Sequence, residues 1–513
     1  MWWIKSPVIK GSMNRERNII NIFMCVCLTL GLLSLVFGYL PDKLKEPSSA
    51  SHASQKNLND VVSFEALDPY DFTKPSSTAR EVQGIIARFT PEPLPKLTLP
   101  QEKLPQLEPD AAPFIPESTP FTRRFRSSSL ATYNPAGTSM AAPVVDRSWL
   151  DVPSGLTTEV KFWKNIYARY STHQIVMHDA LFLDIIYNVL DISDIAQNEA
   201  LTPREKQKAL DEALEEERDR IKMMLEKIQN QQTASQGTDE EWKIRKAFQK
   251  IDDPLKFRSA IDRVRGQKGL KDQFEVGLCR SGRFLGEIER LFEEAGLPKE
   301  ITRLVFVESM FQMDAHSSAG ARGIWQIMKG TAHHYSLRVN NVVDERLDPI
   351  RSTSAAIRLL KDNYEMLGTW PLAINAYNAG RGRLKGAVNL LGTQDISTII
   401  KKFEHPSYGF ASRNFFPSFL AASQIIDEVT QHFNALHYDQ PIAFDELQLE
   451  VSLSLPEVAR ASGISILQLE ELNPMLQKAA FTGTEKIPLG TTIRIPLGKG
   501  NRFASAMRNV IRS

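Results

Sequence analysis

Cysteine is nearly absent from this chain. Only three occur in 513 residues. Two of them, Cys25 and Cys27, sit inside an apolar run, which leaves Cys279 alone in the remainder. A single thiol cannot close an internal bridge, so no disulfide framework supports the fold. Neither a CxxC pair nor an HExxH run is found, so the sequence carries no zinc signature, and no cofactor is expected. Net charge is also missing: 62 Lys and Arg stand against 61 Asp and Glu, a balance of +1. A chain without a global basic field is a poor candidate for nucleic-acid binding. What is present is apolar: 42% of the residues are hydrophobic, enough to build cores, and the length favours more than one domain.

The apolar residues are unevenly placed. Residues 19–40, IINIFMCVCLTLGLLSLVFGYL, contain no charge. As a helix this run would reach roughly 33 Å, enough to cross a bilayer. Lys5, Lys10, Arg15 and Arg17 precede it against Glu16 alone. Positive flanks stay on the cytoplasmic side, so residues 1–18 are expected to be a cytoplasmic tail and everything after residue 40 to be exported, anchored to the membrane in the periplasm or cell envelope. A cleaved signal peptide is the alternative, although no small-x-small site follows Leu40.

Residues 41–145 form the next stretch, and residues 91–120 within it are dense in proline. Proline fixes φ and removes a donor, which predicts an extended, disordered linker. The texture changes near Trp149, and residues 146–269 read as a helical region. FWKNIYARY (162–170), HDALFLDIIYNVLDI (178–192) and a charged run over 202–231 all suggest helices. Thr202, Pro203 and Glu205 supply a helix start. Leu210, Leu214, Ile221, Met224, Leu225 and Ile228 then recur at helical spacing. His178 and Asp179 are adjacent, and such a step is more often packing than chemistry.

Residues 270–435 are the informative part. Phe284, Ile288, Leu291 and Phe292 mark one helix face that ends at Gly296. Pro298 opens a second helix, PKEITRLVFVESMF, on which Ile301, Leu304 and Glu308 share a face. A carboxyl on an apolar face loses solvation of its charged form. Its pKa should rise, as a general acid near neutral pH requires.

Three segments then act together. Glu308-Ser309 is followed by S-x-x-G-A-x-G-I-W-Q over residues 317–326 and by AYNAG over 376–380. In order and spacing this resembles the lytic transglycosylase domain of the goose-lysozyme-like superfamily. The resemblance implies a mainly α, lysozyme-like catalytic domain acting on peptidoglycan glycan strands. It implies cleavage of the β-1,4 bond between N-acetylmuramic acid and N-acetylglucosamine, with formation of 1,6-anhydromuramoyl ends. Glu308 would be the catalytic acid. Ser317, Gln326 and Met328 fall at substrate-contact positions, and Tyr377 and Asn378 at the pair flanking the reacting sugar.

Ordinary glycosidases use two carboxylates. Here the motifs supply one, which suits a mechanism in which the substrate's acetamido group is the nucleophile. Asp314, Asp344, Glu345 and Asp348 are the candidates for a second acid. A water-using muramidase and a non-catalytic wall-binding scaffold are the rival readings. Tyr408, Phe410, Phe415 and Phe416 resemble the family's closing aromatic region and suit either the cleft or the core, as does Trp325. Lys329 and Arg381 read as solvated surface.

Residues 446–500 make a small α/β unit, with LPEVARASG, then ISILQLEELNP, then TTIRIP. A helix pair between two short strands, with Asn473-Pro474 and Ile495-Pro496 at the ends, resembles a LysM module, a family that binds N-acetylglucosamine-containing glycans. The Gly-Asp-Thr usual before the first helix is replaced here by Ser452-Leu453-Ser454.

Overall fold

Helix α1 (Thr157–Ala168) turns Val160, Phe162, Trp163, Ile166 and Tyr167 into the protein. The computed structural model describes residues 146–231 and 237–505. The apolar run 19–40 and the proline-rich stretch lie outside them. Among the described residues no helix is long and apolar enough to cross a membrane.

After α1 the chain enters a sheet. Strands β1 (Gln174–Asp179) and β2 (Ile186–Asp191) are antiparallel, and β3 (Val264–Lys268) later pairs with the other edge of β1. This corrects the helical expectation for residues 178–192. The turn between the strands is made by Asp179, whose Oδ1 accepts from the amides of Leu181 and Phe182 at 2.7 and 3.0 Å. In β1, Ile175, Val176, Met177, His178 and Asp179 are all fully buried. A strand covered on both faces shows no alternation, so its periodicity does not distinguish it from a buried helix.

Helix α2 (Pro203–Asn230) starts as expected. The Thr202 side chain accepts from the Glu205 amide, and Glu205 reaches back to the Thr202 amide. Its Leu214, Ile221, Leu225 and Ile228 are buried. Helices α3 (Asp239–Ala247) and α4 (Lys256–Ile261) lead to β3.

The helices that follow are α5 (Lys271–Ser281), α6 (Leu285–Glu294), α7 (Leu304–Glu308), α8 (Lys329–His334), α9 (Pro349–Leu367), α10 (Trp370–Ala379), α11 (Arg381–Leu391), α12 (Ile396–Lys402) and α13 (Phe410–Asp427). Twelve of the residues of α13 are buried, which makes it the central element. Helix α1 packs along it. One continuous core therefore joins Leu156, Trp163 and Ile166 to Phe274, Ile288, Phe306, Ile374, Phe415 and Phe419.

The C-terminal module has the order strand, helix, helix, strand, with one further short helix, Lys478–Thr482, before the last strand. It comprises β4 (Phe444–Gln448), α14 (Leu455–Ser462), α15 (Ile466–Leu472) and β5 (Thr492–Pro496), with β4 and β5 antiparallel. Ser454 caps α14 in a reciprocal pair with Glu457, which gives the substituted Ser452-Leu453-Ser454 segment a defined local role. Leu455, Val458, Leu469, Ile487, Ile493 and Ile495 form the module's own core, together with Val342 and Val343 from the larger body.

Candidate active site

Glu308 is the last residue of α7. A 3-10 turn, Lys299–Arg303, feeds into this short helix, and Ile301, Leu304, Val305, Phe306 and Val307 are all buried. Beyond it the backbone reverses sharply. Met310 and Phe311 both have positive φ, 50° and 56°. Left-handed residues other than glycine cost on the order of 1 kcal/mol or more each, so the surroundings must hold them. Phe311 packs edge-on against Phe306 at 4.9 Å. On α5, Gly277 gives Met310 room, since a Cβ there would stand 3.1 Å from the Met310 carbonyl oxygen. The Ser309 hydroxyl donates to the Ile324 carbonyl at 2.8 Å. The turn thus ends the helix at Glu308 and ties it to the next segment.

Glu308 is half-buried, its charge reaches the phenols of Tyr167 and Tyr377, and no hydrogen bond or ion pair joins its carboxyl to another described residue. Burial pushes its pKa up to about 7. A group poised there is protonated often enough to act as an acid and ionised often enough to act as a base.

The adjoining loop is a compact hairpin. The Ser317 amide donates to the Ala321 carbonyl, and the Ala321 amide donates back to the Ser317 hydroxyl, both at 2.9 Å. Gly323 has φ +77°, and a Cβ there would lie 2.0 Å from the Arg346 carbonyl oxygen, so only glycine fits. Gln326 also has positive φ, 46°. Its side-chain amide donates to the carbonyls of Ala315 and Gly323 at 3.1 and 2.9 Å. The nitrogen is committed to the loop, so Oε1 is what Gln326 offers a ligand. Met328 is half-buried at the start of α8. Trp325 belongs to the core: it is fully buried, donates to Thr353 Oγ1 at 2.8 Å and stacks on Phe292.

Helix α10 brings in Tyr377 and Asn378. The Tyr377 hydroxyl donates to the Trp325 carbonyl at 2.7 Å, and its ring lies parallel to Phe415. Burial and then the Glu308 charge hold this phenol well above its ordinary pKa. Asn378 Oδ1 accepts from the Ser412 hydroxyl at 2.9 Å, which leaves the amide NH2 as its free donor face. Two neighbours were not foreseen. Ser412 is one. The other is Tyr167 on α1, a buried phenol raised by desolvation and also close enough to feel the Glu308 charge. The amphipathic spacing of FWKNIYARY was the signal for its burial, but nothing local tied it to Glu308.

The other candidate acids are engaged elsewhere or exposed. Asp344 pairs with Arg346 at 2.8 Å, Asp348 with Arg494 at 2.8 Å and Glu345 with Arg338 at 3.0 Å. Asp314 is exposed. Tyr408, Phe415 and Phe416 are buried in the core, while Phe410 is half-buried. Arg381 is not free surface: it pairs with Asp362 at 2.8 Å and donates to the Tyr335 hydroxyl at 3.1 Å. Lys329 is exposed. Asp179 is held by Arg263 at 2.9 Å, and burial pushes the pKa of His178 down to about 3. That pair is packing.

Comparison with known proteins follows the same outline. The family model "Transglycosylase SLT domain" matches residues 289–400, which include Glu308, the 317–326 loop and the AYNAG segment. Membrane-bound lytic murein transglycosylase D of Escherichia coli (strain K12) is 29% identical over 218 residues, covering 41% of this chain and 48% of that protein. A putative tributyltin chloride resistance protein of Alteromonas sp. (strain M-1) is 32% identical over 112 residues, covering 22% of this chain and 54% of that protein. The chain thus spans about half the length of the curated relatives it matches. Two solved structures align with 39% of the chain. They are lytic transglycosylase Slt from Pseudomonas aeruginosa, an inactive mutant, and the 70 kDa soluble lytic transglycosylase from Escherichia coli. Their identities are 18% and 21%, their TM-scores 0.25 and 0.23, and 29% and 30% of those chains are covered.

Proposed function

We propose that this protein is a peptidoglycan lytic transglycosylase that cleaves the β-1,4 bond between N-acetylmuramic acid and N-acetylglucosamine and leaves 1,6-anhydromuramoyl ends. The observation that carries the reading is Glu308: one carboxyl at the end of an apolar helix, raised to about 7, and near enough to Tyr377 for its charge to act on that phenol. The nearby rival acids are tied up in ion pairs.

In this mechanism Glu308 protonates the glycosidic oxygen as the bond breaks. The acetamido oxygen of the muramoyl residue attacks C1 and forms an oxazolinium ion. Glu308, now a carboxylate, takes the proton from the C6 hydroxyl, whose oxygen closes the anhydro ring and reopens the oxazolinium. No water is consumed, and one glutamate serves both steps. Ser317, Gln326 and Met328 hold the sugar chain. Asn378 directs its NH2 donor to the N-acetyl group.

The run over residues 19–40 would keep this activity on the outer side of a membrane, anchored in the cell envelope. Digestion of purified peptidoglycan followed by mass spectrometry tests the reading. Anhydromuramoyl ends support it. Reducing muramic ends would make the protein a muramidase, and intact strands would leave only a wall-binding scaffold.

A further inference from the structure

The C-terminal module does not hang from a free linker. After α13 the chain runs back along α5, where the Asp439 amide donates to the Cys279 carbonyl at 2.9 Å and the Ile442 amide to the Arg283 carbonyl at 3.2 Å. The module itself joins the larger body through backbone pairing. Val343 bridges Leu476, the Asp344 amide donates to the Met475 carbonyl, and the Gln477 amide donates to the Val342 carbonyl. Val342 and Val343 are buried in the module's core.

The segment so gripped, residues 338–348, has a second face against the 315–328 loop. Arg346 Nη1 donates to the Gly320 carbonyl at 2.7 Å and to the Ile327 carbonyl at 3.3 Å. The same guanidinium is oriented by both oxygens of Asp344. Arg322, within the loop, lies 3.5 Å from both Asp344 and Gln477. Loop, segment and module are therefore three layers in direct contact.

Arg494 of β5 locks them together. Its guanidinium donates to Asp348 at 2.8 Å and to Glu446 at 3.0 Å, and the Arg494 and Asp348 side chains are only 3% and 4% exposed. Burial opposes its charge, but the two carboxylates hold the guanidinium above its ordinary pKa. Asp348 also caps α9 through the amides of Ile350 and Arg351. A tethered module that samples many orientations would not bury an ion pair at the junction, because each separation would strand two desolvated charges.

We infer that the C-terminal module is a fixed brace for the 315–328 loop, and that Arg494 is the positioning residue through which it acts. On the catalytic side the loop is tied by Ser309 and Tyr377. The module supplies the opposite support, so that Ser317 and Gln326 keep their places. The inference rests on the proposed function only in reading that loop as the one that holds glycan.

Amide hydrogen exchange on the full chain tests the brace without any turnover. Arg494→Met keeps length and removes charge. Peptides covering residues 315–328 should exchange about tenfold faster or more, while peptides of α13 stay protected. With soluble glycan strands, KM should rise by roughly fivefold or more with kcat within about twofold, because Glu308 and α10 are not touched. Arg494→Lys should recover part of both effects. Should Arg494→Met unfold the chain, Asp348→Asn retains the cap acceptor, removes the buried charge and carries the same expectation. Unchanged exchange over 315–328 with loss of protection confined to the module would overturn the brace. A wild-type protein that cuts no peptidoglycan would refute the proposed function, and the exchange result would still decide the brace.

Discussion

The Tyr377 hydroxyl donates to the Trp325 carbonyl at 2.7 Å, and this one bond connects the helix that carries Asn378 to the loop that carries Gln326. It also satisfies a carbonyl beside a fully buried indole. Tyr377→Phe keeps the ring on Phe415 and removes only the bond. Stability should fall by about 1–2 kcal/mol, since an acceptor in the interior is left without its donor. Turnover should fall by roughly tenfold or more as helix and loop lose register. Thermal melts and initial rates on peptidoglycan check both. Wild-type rates in this variant would mean that loop and helix hold their spacing without the bond.

Glu308→Gln should lower activity at least about a hundredfold, because an amide cannot deliver the proton. It should also change stability in a pH-dependent direction. The folded carboxyl titrates at about 7, above the ordinary value of 4.5. Below 4.5 folded and unfolded chains are both protonated, and the substitution has no electrostatic effect. Between 4.5 and 7 the unfolded chain releases the proton first, so the wild type loses stability as pH rises. Above 7 the full burden is present. The amide avoids it, so Glu308→Gln should be more stable than wild type at pH 8 by on the order of 2 kcal/mol, with little difference at pH 4. Denaturant melts at the two pH values provide the check, and equal stability shifts at both would show that the carboxyl is not desolvated.

The same titration sets the rate profile. Protonation of the glycosidic oxygen needs the acid form of Glu308 in the free enzyme. kcat/KM should therefore fall about tenfold per pH unit above a break near 7. A break near 4.5 would place the working acid in an exposed setting and remove Glu308 from the role.

Features set by neighbouring residues were readable in the sequence. The start of α2 is written in Thr202, Pro203 and Glu205, and the capping pair forms as those residues suggest. Glu308, the 317–326 loop and the AYNAG segment were found because each motif is short and its parts are close in sequence. The sheet was missed because β1 is covered on both faces and because β2, IYNVLD, does not alternate apolar with polar residues either. Tyr167 was missed because its relation to Glu308 depends on the packing of α1 against α13. Likewise, nothing near Arg494 in sequence points to Asp348, which lies 146 positions away. Pairings of that range are made by the tertiary fold, and local pattern carries no trace of them.

Asn378 provides the test of the single-acid chemistry. Its Oδ1 accepts from the Ser412 hydroxyl, which orients the side chain and leaves both NH2 donors to face a sugar. Such a donor suits the oxygen of an acetamido group and would hold it for attack on C1. A thiazoline analogue of N-acetylmuramic acid copies the oxazolinium geometry and should inhibit more tightly than the unmodified sugar, as mimics of high-energy species do. Asn378→Ala should weaken that inhibitor and lower turnover by about tenfold or more, because a misoriented acetamido arm forfeits its intramolecular advantage. Ser412→Ala should do the same more mildly, since Asn378 remains but loses its anchor. Inhibition constants for the three proteins, with mass spectrometry of the enzyme under turnover, decide the matter. A glycosyl ester trapped on any carboxylate would replace this mechanism with a two-carboxylate one, and so would a thiazoline that binds no better than the sugar.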